Sequence, residues 1–527
     1  MRRLFSLVFG TFLAGTSILS AAISDPVRIE TGLVSGIVSG NPGSSDEVRV
    51  YKGIPFAAPP VGDLRWHEPR PPSHWEGVHK ADAFSPVCMQ QQRGPAGASG
   101  PAPSEDCLYL NVWTAAKSAS ERRPVIFWTY GGAFTGGAGS VPMYDGDALA
   151  RKGAVVVTYN YRLGIFGFLA HPELTKESGH NASGNYALMD MAAALRWVQK
   201  NIANFGGDPK RVTIDGESAG SMLVSAMVGS PQGKGLFQRA IGQSGAWMGI
   251  NIGKMTTRAQ AEENGQKMAQ TLGAASIAEL RAKPADELLK NARGPFAIIV
   301  DGWYVPEDLS ITYENHKQND VDVLVGSNRD EGTFFSRPGG VNVEQFSGTA
   351  KRRFSDQADA YLKLYPAGSD AEAGASQLAG FRDEMGWHMR EWAQLQSQRG
   401  KAKAYLYYFT HVPPSAPGQP SRGATHTADL AYMFDNQPPN VTWTDVDKKL
   451  ADTMSSYWLN FAASGNPNGK GLPQWPAYSV KKGGRNIVLG DTVMVGQGID
   501  PAMIAFYDSF YSKLRSGLSP GGNSGGQ

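Results

Sequence analysis

Cysteine is almost missing: only Cys88 and Cys107 occur in 527 residues. Two thiols cannot staple a disulfide-dense scaffold, and with no histidine beside them at ligand spacing they do not make a zinc site. Excess charge of one sign is missing too, with 50 Lys+Arg against 48 Asp+Glu and a formal net charge of +2. The basic surplus by which proteins grip nucleic acid or an anionic membrane is absent, so neither is an expected partner. There is no internal repeat and no Ser/Gly-rich linker between composition blocks. The one glycine run that follows a strand, YGGAFTGG (130–137), lacks the Gly-Lys-Ser/Thr that a phosphate loop requires.

What is present belongs to a globular protein with a large core, at 41% hydrophobic and 10% aromatic residues. The exceptions are at the ends. Residues 1–22, MRRLFSLVFGTFLAGTSILSAA, combine Arg2 and Arg3, a short apolar run broken by Gly, Thr and Ser, and small residues at 20–22. They read as a secretory signal peptide rather than a membrane anchor, and their removal takes away two arginines and no acid. At the other end, residues 516–527 are nearly all Gly, Ser, Pro and Asn and are expected to be a flexible tail. The chain between, 23–515, reads as one domain. In an exported chain the two cysteines are expected to pair, closing the loop CMQQQRGPAGASGPAPSEDC. A bridge over such a loop is worth roughly 3 kcal/mol in the chain-entropy view.

Apolar runs suited to buried central strands, RPVIFWTY (123–130), AVVVTYNYRL (154–163), VTIDG (212–216), DVDVLVG (320–326) and AYLYYF (404–409), alternate with helical patterns near 187–206, 256–293 and 384–399. Alternation of this kind predicts an α/β fold, a mostly parallel sheet covered by helices on both faces.

Within that pattern VTIDGESAGSMLV (212–224) puts Ser218 at a strand-to-helix corner between Gly216 and Gly220. A plain Ser/Gly turn would look the same. A nucleophile would use the corner to stand its hydroxyl clear of the sheet, with the helix amides behind it. A nucleophilic serine requires a base and an orienting acid, and where the serine stands on a G-x-S-x-G strand-to-helix elbow these follow it in the chain, acid before histidine. Of the histidines beyond Ser218, His316 lies in a polar connection, His388 in a helical pattern and His411 at a strand end. His426 alone sits in a long Gly/Pro-rich loop, PPSAPGQPSRGATHTADL, able to reach a site at the sheet edge. Asp330 and Glu331, after the strand DVDVLVG, and Asp301, after AIIV, are all acid candidates by position. Gly131, Gly132 and Ala133 follow the strand RPVIF as small residues whose amides could meet an oxyanion, together with the amide of Ala219.

Eight stretches in order, YKGIPFAAPPVGDLRW, SEDCLYLNVW, YGGAF, NYRLGIFGFL, FGGDPKRVTIDGESAG, GSNRDEGTFF, GATHTADLAYMF and NFAASGNPNGKGLPQWPAY, resemble the type-B carboxylesterase/lipase family of the α/β-hydrolase fold, over about residues 28–510. The resemblance implies a serine esterase with no metal or organic cofactor and a small-molecule ester as substrate, and the expected signal peptide makes it secreted or periplasmic. It implies Ser218 as nucleophile, His426 as general base and acid, and Glu331 rather than Asp330 as the orienting carboxylate. Gly132, Ala133 and Ala219 become the oxyanion donors, and Cys88–Cys107 the family's disulfide. Gly131, Phe134, Glu217, Trp247 and Arg93, the one basic residue of the disulfide loop, are candidates for substrate contact. Two departures stand out: Ala133 where many members carry a third glycine, and Asp429 where glutamate is more usual. The cysteine-bounded loop has no aromatic ring to hold a quaternary ammonium, which argues against a cholinesterase. Its polar, compact composition disfavours a lipase or polyester hydrolase with an apolar lid, and the intact Ser, Glu and His disfavour a non-catalytic binding module.

Overall fold

A computed structural model describes residues 23, 25–41, 43–44, 46–91, 101–247, 254–336 and 340–517. The expected signal peptide, Arg93 and residues 518–527 lie outside these. Among the described residues an eleven-stranded mixed sheet carries the α/β fold. Seven neighbouring strands, Asn486–Leu489, Ala404–Phe409, Asp322–Asn328, Arg239–Gln243, Gly207–Glu217, Arg123–Thr129 and Val155–Tyr159, pair in parallel. Antiparallel strands finish both edges: Met494–Gly496 on one side, and Tyr109–Thr114, Val48–Pro55 and Ile37–Ser39 on the other.

The central strands read as unbroken apolar runs because successive side chains enter two different cores. Val125, Phe127, Val155 and Val157 face one core, shared with the helices Tyr186–Asn201 and Ala219–Gly229. Ile126, Trp128 and Val156 face the other, which is closed by Asp445–Ser464. No helix among the described residues is long and apolar enough to cross a membrane.

Several elements differ from the sequence expectation. The helical stretch near 256–293 is three helices, Arg258–Thr271, Ile277–Ala282 and Ala285–Asn291. Ser276 caps the second and Pro284, which has no amide hydrogen to donate, stands just before the third, so local breaks override a loose apolar period. The helix expected near 384–399 begins at Asp370, capped by Ser369, because its Ala/Gly-rich first half carries little apolar signal. The strand Arg239–Gln243 was not anticipated, since RAIGQ is short and half polar. The last helix runs from Pro501 to Ser516.

Disulfide Cys88–Cys107 is formed, and both sulfurs are buried. It anchors the loop on residues just before the strand Tyr109–Thr114.

Candidate active site

Ser218 lies directly beyond the carboxyl end of the strand Gly207–Glu217 and immediately before the helix Ala219–Gly229. Its φ of 56° and ψ of −125° belong to a sparsely populated region that costs about 1–3 kcal/mol. The surroundings impose it. A Cβ on Gly220 would stand 2.0 Å from the Thr129 carbonyl, and one on Gly245 would stand 2.3 Å from that of Ser218. The Ser218 amide donates to Gln243 O at 2.8 Å, fixing the corner to the next strand.

The other candidates gather at the same edge of the sheet, each from a different strand end, where open α/β sheets bind ligands. After Asp322–Asn328, Glu331 begins a short 3₁₀ turn and is fully buried. Glu331 Oε2 accepts a short hydrogen bond from His426 Nδ1. Its other oxygen accepts from Ser244 Oγ at 2.5 Å and from the Asn328 amide at 2.8 Å. Asn328 in turn donates its side chain to the carbonyls of Thr425 and His426 at 2.8 and 3.0 Å, tying the histidine turn to the acid's strand. Asp330 points elsewhere. It pairs with Arg329 and accepts from the Ala424 amide at 2.7 Å, bracing the loop that carries His426. Asp301 accepts from the amides of Trp303 and Val305 as a turn acid.

The other histidines are spent on structure. His388 is buried beside Glu384 and Tyr511, and His411 lies between Asp447 and Asp491. His316 occupies a left-handed turn position.

Glu217 brings a second carboxylate to His426, with Oε1 at 3.2 Å from Nε2 but without hydrogen-bond alignment. In this conformation Nε2 makes no hydrogen bond to Ser218, a bond that tightens in many hydrolases only when substrate is bound. Burial by itself lowers the His426 pKa, but the charges of Glu331 and Glu217 outweigh it and the net shift is upward. Glu217 is also raised, by its burial first, with His426 opposing and Asp429 and Glu331 adding to it. Asp429 is raised by burial while Asn328, Gln243 and Tyr407 donate to it, so it sits beneath the site as part of a polar network.

Gly131 passes under Ser218 with no room for a side chain: a Cβ there would lie 2.9 Å from Ser218 Cβ and 2.6 Å from Glu217 Oε2. Gly132 and Ala133 are exposed, with φ of 111° and 53°. Their amides and that of Ala219 donate to no other group among the described residues, which leaves them available to a ligand oxygen. Phe134 is buried against Phe168 at 4.9 Å. Trp247 is buried too, stacked on Tyr313 at 5.5 Å. Phe334 and Phe335, each nearly half exposed, lean on the His426 ring at 5.5 and 5.0 Å. Among the described residues no three His, Cys, Asp or Glu side chains converge as metal ligands.

Sequence reasoning missed Ser244, Asn328, Phe334 and Phe335. A serine and an asparagine at the ends of central strands, GQSG and GSN, were the available signal.

The family model described as "Carboxylesterase family" matches residues 24–489. The fumonisin B1 esterase of Sphingopyxis macrogoltabida is 38% identical over 518 residues, covering 94% of this chain and 92% of that protein. The para-nitrobenzyl esterase of Bacillus subtilis (strain 168) is 36% identical over 456 residues, covering 82% of this chain and 89% of the relative. A solved PNB esterase structure superposes with a TM-score of 0.76 at 34% identity, over 89% of this chain and 97% of that one.

Proposed function

The chain belongs to the carboxylesterase family and is a carboxylic ester hydrolase, and from that premise we propose that it works through an acyl-enzyme built on Ser218, His426 and Glu331. Ser218 Oγ attacks the ester carbonyl while His426 Nε2 takes its proton. The amides of Gly132, Ala133 and Ala219 receive the oxyanion. Collapse expels the alcohol, which takes its proton from His426; water then repeats the attack and frees the acid. The observation that carries this reading is the convergence of a strained serine corner and a buried Glu331–His426 bond on one sheet edge. A para-nitrophenyl phosphonate is expected to add one equivalent of phosphonyl group, located at Ser218 by peptide mass analysis, with full loss of turnover. Labelling elsewhere with activity lost would refute it.

The exposed Phe334–Phe335 pair beside His426 supports esters with an apolar or aromatic group on that side. A panel of aliphatic, para-nitrobenzyl and carboxylate-bearing esters, with fumonisin B1 included because of the relative's name, ranks them by kcat/KM. The N-terminal segment and the buried Cys88–Cys107 bridge support export of a single α/β-hydrolase domain spanning 23–515.

His426 must be neutral to act as base, and two neighbouring carboxylates stabilise its charged form. The rising limb of kcat/KM is therefore expected above the unperturbed histidine value of about 6.5. Glu217→Gln removes one of those anions, so the midpoint moves down by about 1 unit. An unchanged midpoint would mean that Glu217 carries no charge while the histidine titrates.

A further inference from the structure

The loop that offers the Gly132 and Ala133 amides is held at its far end by a side chain from the disulfide loop. Gln90, two residues past Cys88, pairs with Gly137 in both directions. Its Nε2 donates to Gly137 O at 2.8 Å, and its Oε1 accepts from the Gly137 amide at 2.9 Å. Nε2 also reaches Cys88 O at 3.1 Å. One side-chain amide thus joins the disulfide anchor to the glycine loop in the manner of a short piece of sheet.

The consequence travels through peptide planes. The amides of Thr135 and Gly136 donate to Gly132 O at 3.1 and 3.2 Å. That carbonyl shares a peptide plane with the Ala133 amide, and in a trans peptide the two point in opposite directions. Fixing Gly132 O therefore aims the Ala133 N–H. Gly136, whose amide is one of the two that fix it, is bonded to Gly137, and the amide of Gly137 is the one Gln90 holds. The loop is closely packed: a Cβ on Gly132 would sit 2.1 Å from Gly136 O and one on Gly137 would sit 2.5 Å from the Tyr130 ring.

We propose that Gln90 is a positioning residue for the oxyanion site, setting the direction of the Ala133 amide through the Gly136–Gly137 peptide. This rests on the reading of Gly132 and Ala133 as oxyanion donors. Oxyanion interactions strengthen as charge develops on the carbonyl oxygen, so a misdirected donor lowers kcat and leaves substrate affinity nearly unchanged.

The test uses Gln90→Met, which keeps length and bulk and removes both hydrogen bonds, with Gln90→Ala beside it. Active sites are counted in each by phosphonate labelling of Ser218, so that misfolded protein is discounted and a failure of the nucleophile assignment shows separately. Per labelled site, kcat is expected to fall about 10–100-fold with KM nearly constant, given what the loss or misplacement of one oxyanion donor costs. Affinity for a trifluoromethyl ketone, which forms a tetrahedral adduct, is expected to fall by the same factor, while affinity for the product alcohol holds. Unchanged kcat and ketone affinity per labelled site, even with a lowered Tm, would overturn the proposal. Equal loss of ketone and alcohol affinity would overturn it as well.

Discussion

Ser218→Ala is expected to abolish turnover, by on the order of 10⁶ in kcat, while the chain folds and melts as before. The corner is held by its backbone, not by the hydroxyl. The Ser218 amide binds Gln243 O, the Ser218 carbonyl accepts from Met222 at 3.0 Å, and the glycines at 216, 220 and 245 let three backbone segments touch. Alanine accepts the same left-handed φ at the same cost as serine, so the strain of the turn is unchanged. Only the covalent route is removed. The open amides and the binding surface remain, and in serine hydrolases these alone sustain roughly 10³–10⁴ over water. The variant should therefore keep only a slow hydrolysis of an activated ester, above the buffer rate but far below wild type, without a burst and without phosphonate incorporation. More than about 1% of wild-type kcat, in a preparation free of contaminating esterase, would overturn the assignment, because that far exceeds what a triad without its nucleophile supplies.

The parts of the fold that could be read from the chain are those with one strong physical signal. Strands such as Arg123–Thr129 and Ala404–Phe409 are buried on both faces, so they appear as uninterrupted apolar runs. The edge strands Ile37–Ser39 and Met494–Gly496 are three residues long and largely exposed, and nothing in their composition separates them from loop. The serine corner was legible because its glycines are demanded by close backbone approach. Ser244 was not, since its role depends on a hydrogen bond to a residue 87 positions away. The same holds for Gln90, whose partner is 47 positions away and whose neighbours in sequence look like polar loop. Asp429 was noticed only as a departure from the family pattern. Its burial, and its contacts with Gln243, Asn328 and Tyr407, come from three separate strands that only the folded sheet brings together.

Asp330 and Glu331 are adjacent carboxylates that position in the sequence could not separate, and in the structure they have different partners: His426, Ser244 and Asn328 for Glu331, Arg329 and the Ala424 amide for Asp330. Glu331→Gln is expected to lower kcat by about 10⁴, the size seen when a buried triad acid loses its charge but keeps its shape. The glutamine carbonyl can still accept from Ser244 or Asn328, which turns its NH₂ toward His426 Nδ1. An amide N–H pointing at Nδ1 stabilises the tautomer that carries its proton on Nε2. In that tautomer Nε2 cannot accept the serine proton, and the imidazolium formed in the transition state has lost its anion. Whatever activity remains should titrate lower than in the wild type, since Glu331 is among the charges that raise His426. Asp330→Asn instead weakens the bonds to Arg329 and to the Ala424 amide. It leaves the Glu331–His426 bond in place, so kcat should stay within about 10-fold of wild type while Tm falls by only about 1 °C, as for a surface-side brace worth about 1 kcal/mol in a chain of this size. Stopped-assay kcat, the pH profile and thermal melts of the two variants, taken together, decide it. Equal losses of kcat in both, or a larger loss in Asp330→Asn, would show that the orienting acid is not Glu331.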